Sequence, residues 1–399
     1  MMDEIRLKPN REKSLMRKHP WIFSGSVQEV VGNPIMGETV KVISFEGEVM
    51  GYAAYSPHSS IRARMWNFDK EREIDEEFIA EKLRVAISLR DSLHFIDSSN
   101  NACRLINAES DGLPGLIVDM YSDLLCVQLL SAGPELWKET IIKNLVLITG
   151  IEKIFERSDV EVRKLEGLEP RKGALSGEKP ENHIEIIENG KRFLVDIVNG
   201  QKTGFYLDQR GNRQKIKQFS ENRKVLNCFS YTGAFTVYAL EGGAQHVTSI
   251  ESSKEAIDLA KKNLHINNLP EEKTSWINGD VFKELRLLRD KGLSFDMVIL
   301  DPPKFAPTTA QVRSASRGYK DINLLAFKLL NPGGILATFS CSGGVDRLLF
   351  QKIIAGAALD ANIDAKILGY LSQGADHPVA LNFPEGAYLK GLICQVAEK

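Results

Sequence analysis

Residues 224–235 read KVLNCFSYTGAF. Val225, Leu226, Cys228 and Phe229 form a short apolar run, the pattern of a buried parallel strand. Ser230, Tyr231, Thr232 and Gly233 break it, and Ala234 to Glu241 reads as a helix. Strand, glycine turn and helix predict the ligand-binding start of a doubly wound α/β sheet. Four further apolar runs each end on a polar or reactive residue. His246–Ile250 ends at Glu251, Thr274–Gly279 at Asp280, Phe295–Leu300 at Asp301, and Gly334–Ser340 at Cys341. Ligands bind outside the carboxyl ends of the strands in such sheets. Gly233, Glu251, Asp280, Asp301 and Cys341 are therefore expected along one sheet edge.

Working outward, Leu348–Leu359 reads as a helix, and Asn362–Leu371 and Tyr388–Val396 as strands. The link Gln373–Gly386 is too short for a crossover helix, so the last strand is expected antiparallel. That reading puts Gln373, Asp376 and a surface His377 on the ligand edge. Before the sheet, Gln201–Arg210 leads into a helix, and its Phe205 and Tyr206 are placed to cover a bound cofactor. An ordinary helix cap with core aromatics fits that segment equally well.

Toward the N-terminus the pattern changes. Glu38–Ser44, Glu48–Tyr55 and Ile61–Trp66 read as strands of a small all-β unit. Ahead of them Arg6, Lys8, Arg11, Lys13, Arg17 and Lys18 form a basic stretch, followed by His19, Trp21 and Phe23. Basic residues beside aromatics suit RNA, whose phosphates take the charge and whose bases stack on rings. Alone, the stretch reads more readily as a solvated face with Trp21 in the local core. Asp75–Phe95 has helical spacing, and strands are expected at 104–107, 115–119, 124–130 and 153–157, with a helix at 134–149. The charged, glycine- and proline-rich 163–182 reads as a mobile loop, and Asn189-Gly190 as a hairpin turn. The expected domains are 1–72, 73–196 and 197–399.

The 399 residues carry a formal net charge of -2, so a nucleic-acid surface has to be a local patch. Hydrophobic content of 43% and charged content of 26% are ordinary for a globular protein. The five cysteines include no CxxC pair, which fits a reduced cytoplasmic protein rather than a disulfide framework or a metal site. The N-terminus lacks an apolar h-region, and no run reaches the ~20 apolar residues of a membrane span.

The turn has neither GxGxxG nor GxxxxGK[ST], which argues against a dinucleotide or a nucleoside triphosphate. A single-glycine turn suits a ligand without a pyrophosphate, such as S-adenosylmethionine. Glu251 is placed to accept from both ribose hydroxyls, and Asp280 from the adenine amine, with Val281 and Phe282 beside it. Each acid could instead cap a helix opening at Ser252 or Val281. Asp301-Pro302-Pro303-Lys304-Phe305 is a rigid extended turn suited to gripping the edge of a flat base, with Phe305 to stack. Cys341 sits among small polar residues at an expected helix N-terminus, where a thiolate is favoured. Methyl transfer to carbon 5 of a pyrimidine needs a thiolate that adds to carbon 6, beside a carboxylate at ring nitrogen 3. Cys103, Cys126, Cys228 and Cys394 lie in apolar runs and read as inert.

NCFSYTGAF, DPPKF, RGYKDIN at 317–323, TFSCSGG at 338–344 and KTGFYLDQR at 202–210 closely resemble the large-subunit ribosomal RNA methyltransferase I family. The resemblance covers the whole chain. It implies an RNA-binding PUA β-barrel, marked here by HPWIFSG at 19–25, then a central α+β domain and a Rossmann-like methyltransferase domain. It implies S-adenosylmethionine as cofactor and carbon 5 of a cytosine in 23S ribosomal RNA as target. The family's cofactor positions fall on Asn227, Ser230, Gly233, Glu251, Asp280 and Asp301, with Phe229 and Tyr231 in the same turn. Its reactive cysteine falls on Cys341. RNA contacts are expected at Arg17, Lys18, Lys304, Phe305 and Arg317. No cysteine stands beside the prolines after Asp301, so release through a second thiol is not expected, and the releasing base is not identified. A relative of the same architecture methylates guanine nitrogen 7, and a non-catalytic RNA-binding protein is the alternative of a different class. The reading admits a homodimer.

Overall fold

The computed structural model describes residues 2–306 and 311–398. The chain forms two compact units. One comprises Met1–Gly190, Val195–Leu207 and Ala375–Gly386, the other Lys191–Leu194, Asp208–Gly374 and Ala387–Lys399. Residues 197–207 and 375–386, expected with the sheet domain, thus cluster with the first unit.

The first unit holds two sheets. The three expected N-terminal strands are present as Thr39–Ile43, Val49–Tyr55 and Ile61–Asn67. Three more join them, Glu4–Leu7, Trp21–Phe23 and Val27–Val31, to give six. Their alternating side chains bury Ile5, Leu7, Ile22, Val40, Val42 and Met65 in one core. A second sheet of five strands runs from Ala102–Asn107 through Leu116–Tyr121, Leu124–Leu129 and Lys153–Ser158 to Arg171–Ser176. Helices Glu76–Ser92 and Lys138–Thr149 cover it through Phe78, Ile79, Leu83, Ile141 and Leu145. Asp75 caps the first of these, its Oδ1 accepting from Phe78 N at 2.8 Å. The segment 163–182 is not a loop throughout. Arg171–Ser176 pairs antiparallel with Lys153–Ser158 at the sheet edge, where backbone pairing overrides a poor strand composition. Asn189 (φ 49°) and Gly190 (φ 74°) take the left-handed values of a two-residue hairpin turn.

His377 is buried rather than on a surface loop. Its Nδ1 lies 3.1 Å from Asp376 Oδ1. Asp376 accepts from Arg104 N through Oδ2 (3.2 Å) and from Arg90 through its carbonyl (2.9 Å).

The second unit carries a seven-stranded sheet: β1 Lys224–Cys228, β2 His246–Glu251, β3 Thr274–Asn278, β4 Phe295–Leu300, β5 Leu330–Ser340, β6 Ala365–Ser372 and β7 Lys390–Val396. Its order is β3-β2-β1-β4-β5-β7-β6. The first five run parallel, and β7 is antiparallel to both neighbours, as its short link requires. Helices α1 Arg210–Gln218, α2 Ala234–Glu241, α3 Lys254–Ile266, α4 Val281–Asp290, α5 Val312–Leu329 and α6 Arg347–Ala361 complete it. Strands buried on both faces read as continuous apolar runs, and Leu226, Ile250, Val298, Leu300 and Leu336 lie in one core with Leu285, Ile322 and Phe350. Strand order reverses between β1 and β4, the switch point where such sheets bind ligands. No helix among the described residues is long and apolar enough to cross a membrane.

Candidate active site

The register sets the carboxyl ends of the five parallel strands side by side. Cys228 pairs with Ile250 and Leu300, Glu251 with Asn278, and Leu300 with Thr338. The turns after β1, β2, β3, β4 and β5 therefore open on one edge, as expected from the sequence.

The first turn is strained. Phe229 (φ 59°), Tyr231 (φ 46°) and Gly233 (φ 77°) all adopt left-handed backbone. For non-glycine residues this costs roughly 1–3 kcal/mol each, and such strain clusters at ligand sites. At Gly233 a Cβ would also lie 2.8 Å from Ala260 Cβ, so only glycine fits. What holds the turn is Glu251. Its Oε2 accepts from Tyr231 N (2.8 Å), and its Oε1 from Ser253 N (3.0 Å) and Ser252 Oγ (3.1 Å). The carboxylate is almost buried, and it braces the site as well as facing it. It does not cap the next helix. Ser253 does, accepting from Ala256 N at 3.1 Å, so α3 opens at Lys254 and not at Ser252. Asp280 does cap, its Oδ1 accepting from Lys283 N at 3.0 Å ahead of Val281.

Asn227 lies inside the strand layer rather than on the open edge. Its Nδ2 donates to Thr236 Oγ1 (3.0 Å), which is 2.8 Å from Ser249 Oγ. Among the described residues, Asn227 Oδ1, Ser230 Oγ and Thr232 Oγ1 are buried with no hydrogen-bond partner. Buried polar atoms are rarely left so. Orphan atoms around a strained single-glycine turn, with carboxylates at the next two strand ends, fit a polar nucleoside ligand such as S-adenosylmethionine. Phe205 and Tyr206 lie in the other unit. There the Phe205 carbonyl accepts from the Tyr121 hydroxyl (3.4 Å), and Tyr206 donates to Gln201 Oε1 (2.5 Å).

Beyond β4, Asp301 Oδ2 accepts from Gln209 Nε2 at 3.0 Å. Phe305 is not a free stacking face. Its ring packs on Tyr319 (4.7 Å between centroids) and on Phe282 (5.8 Å), which puts it half in the core. Lys304 and Arg317 are exposed, as are Arg17 and Lys18 in the first unit. Arg6, counted in the basic stretch, instead lies in a strand and pairs with Glu29 (3.2 Å) and Glu4 (3.3 Å).

Cys341 is half-exposed, whereas the other four cysteines are buried. Burial pushes the Cys126 and Cys228 thiols up, and Cys394 to about 12, so these three stay protonated and inert. Cys341 is not at a helix N-terminus. Helix α6 begins only at Arg347, capped by Asp346 Oδ1 on Leu349 N at 2.7 Å. The cysteine is instead framed by side chains. Tyr319 Oη lies 2.9 Å from both Ser340 Oγ and Ser342 Oγ, and Ala306 N donates to Ser342 Oγ at 3.0 Å. Lys390 Nζ donates to Ser342 O at 2.6 Å. Sequence reasoning missed Gln209, Tyr319, Ser342 and Lys390 as contributors. The available signals were Gln209 within 202–210, Tyr319 within 317–323, Ser342 within 338–344 and a lysine heading the apolar run of β7.

Strand order, switch-point turn and acidic strand ends define a methyltransferase. Residues 169–357 match the family described as S-adenosylmethionine-dependent methyltransferase, and residues 5–68 match the PUA-like domain. S-adenosylmethionine is thus the cofactor. The chain belongs to the ribosomal RNA large subunit methyltransferase I family. It is 50% identical over 396 residues to the protein of that name from Pseudoalteromonas translucida, covering 99% of this chain and 100% of the relative. It is 52% identical over 389 residues to the one from Aeromonas salmonicida, covering 98% of each. The fold matches a solved Streptococcus mutans protein proposed as a SAM-dependent methyltransferase, at TM-score 0.86 and 22% identity over 99% of this chain and 100% of that one. A proposed methyltransferase solved with SAH matches at TM-score 0.87 and 22% identity, with the same coverage.

Proposed function

We propose that this protein methylates carbon 5 of a cytosine in 23S ribosomal RNA, with Cys341 as nucleophile. The observation that carries the reading is the position of Cys341. It is half-exposed at the end of β5, the strand beside β4 and Asp301, while the other thiols are buried. Large subunit ribosomal RNA as substrate comes from the relatives' name. Such a substrate belongs in the cytoplasm.

S-adenosylmethionine supplies an electrophilic methyl group. Phe229, Ser230, Tyr231, Gly233, Glu251, Asp280, Val281 and Phe282 would hold it along the edge from β1 to β3, with Asn227 behind them in the strand layer. The Cys341 thiolate adds to carbon 6 of the ring, and the carbon 5–carbon 6 double bond opens. Asp301, as the acid, gives its proton to ring nitrogen 3, so the electron pair collects at carbon 5, where the methyl is accepted. A base then removes the carbon 5 proton, the carbon–sulfur bond breaks, nitrogen 3 returns its proton to Asp301 and the thiolate is restored. Lys304, Arg317, Arg17 and Lys18 take phosphates.

The test uses RNA carrying 5-fluorocytidine, in which the final proton loss is blocked. Wild-type protein should form an adduct that survives denaturing electrophoresis, and Cys341→Ala should form none and should not methylate. If Cys341→Ala methylates ordinary RNA at the normal rate, the covalent reading is wrong and a ring-nitrogen target takes its place.

A further inference from the structure

Lys390 opens β7 and pairs across the sheet with Ser340, the residue before Cys341. Its side chain is almost wholly buried: the residue is 5% exposed. Nζ donates to Ser342 O at 2.6 Å and to Val345 O at 2.5 Å, and both carbonyls belong to the turn that begins at Cys341. Lysine is almost never this buried unless paired. Yet among the described residues no carboxylate lies within ion-pair distance of Lys390. The groups that act on it electrostatically are Cys341 and Asp346, which favour its charge, and Lys304, which opposes it. Tyr319, whose hydroxyl lies 2.9 Å from Ser342 Oγ, has its pKa raised by burial.

We propose that Lys390 is a positioning residue for Cys341: it pins the Cys341–Val345 turn through two carbonyls, and its ammonium favours the thiolate. An opposite charge nearby stabilises the charged form of a thiol. The arrangement takes the place of the helix N-terminus, which α6 does not offer because it starts at Arg347. Burial lowers Lys390 itself to about 8, against an ordinary value of 10.5, and a neighbouring thiolate works in the opposite sense. The consequence for methylation rests on Cys341 being the nucleophile.

The experiment measures iodoacetamide alkylation of Cys341 in the full-length protein against pH, following the Cys341 peptide by mass spectrometry. The four buried thiols report unfolding in the same sample. Wild type should titrate below the ordinary thiol value of about 8.5. Lys390→Gln keeps hydrogen-bond donors but removes the charge, and should raise the midpoint by about one unit or more. Lys390→Arg should stay near wild type. A wild-type midpoint at or above the ordinary value overturns the proposal whatever the variants do. So does an unchanged midpoint in Lys390→Gln with the buried thiols still protected. If Cys341→Ala still methylates while Lys390→Gln shifts the midpoint, the covalent reading falls and the role of Lys390 stands.

Discussion

Gln209 Nε2 donates to Asp301 Oδ2 across 3.0 Å, and the amide cannot turn round. Its Oε1 accepts from Asn212 Nδ2 at 2.5 Å, and Asn212 also donates to Ser372 O at 3.0 Å. The relay runs from the end of β6 to the carboxyl at the end of β4. It fixes the orientation of Asp301 from residues distant in sequence. Gln209→Leu should therefore lower the methylation rate about ten- to a hundredfold, the worth of a hydrogen bond to a charged group, with little change in RNA affinity. Single-turnover kinetics alongside an RNA-binding titration would show the split. Equal rates in the two proteins would mean that Asp301 needs no orienting partner.

Asp280 can be tested without losing its cap. Asp280→Ser retains an oxygen for Lys283 N, so stability should hold, because serine is as good a cap as aspartate. Loss of the carboxylate should weaken S-adenosylmethionine binding about ten- to a hundredfold in titration calorimetry. Undiminished affinity would leave Asp280 a cap alone.

Glu251→Ala should do two things at once. It should weaken the cofactor and also lower stability by about 1–3 kcal/mol, because Tyr231 N and Ser253 N lose their acceptor. Denaturant unfolding without cofactor isolates the second effect. No loss there would show that water replaces the carboxylate.

Neutralising Arg17 and Lys18 together should make the slope of log affinity against log salt shallower by roughly 1.5, at about 0.7–0.9 per phosphate contact. Which base is modified should not change, since phosphate contacts position RNA without reading it. An unaltered slope would take this face out of the RNA interface.

Lys390 sets a pH dependence. Its folded value of about 8 lies below the ordinary 10.5, so the unfolded chain holds the proton more tightly. Below about 8 both states are charged, and the penalty for burying the ammonium is present in full. Between about 8 and 10.5 the folded state releases the proton first, and stability rises with pH. Measured against Lys390→Met, wild type should gain stability across that window in denaturant titrations. A constant difference would show that the lysine keeps its ordinary affinity for protons when folded.

The architecture of the catalytic domain was legible in the sequence. Buried parallel strands are continuous apolar runs, and the residue that ends each run must leave the sheet at its carboxyl edge. That places Gly233, Glu251, Asp280, Asp301 and Cys341 together, and the short link before β7 dictates its reversal. What the tertiary structure decided is the set of partners around those residues. That Gln209 reaches Asp301, that Lys390 lies under the Cys341 turn, and that Glu251 reaches back to Tyr231 N all follow from groups meeting across large sequence separations. The same holds for Phe305, which packs on Tyr319, for His377, which is buried, and for Arg171–Ser176, which becomes an edge strand. Periodicity records which side of an element is apolar. Which neighbour receives a hydrogen bond or a ring depends on packing distances of a few ångströms, and these exist only once the chain has folded.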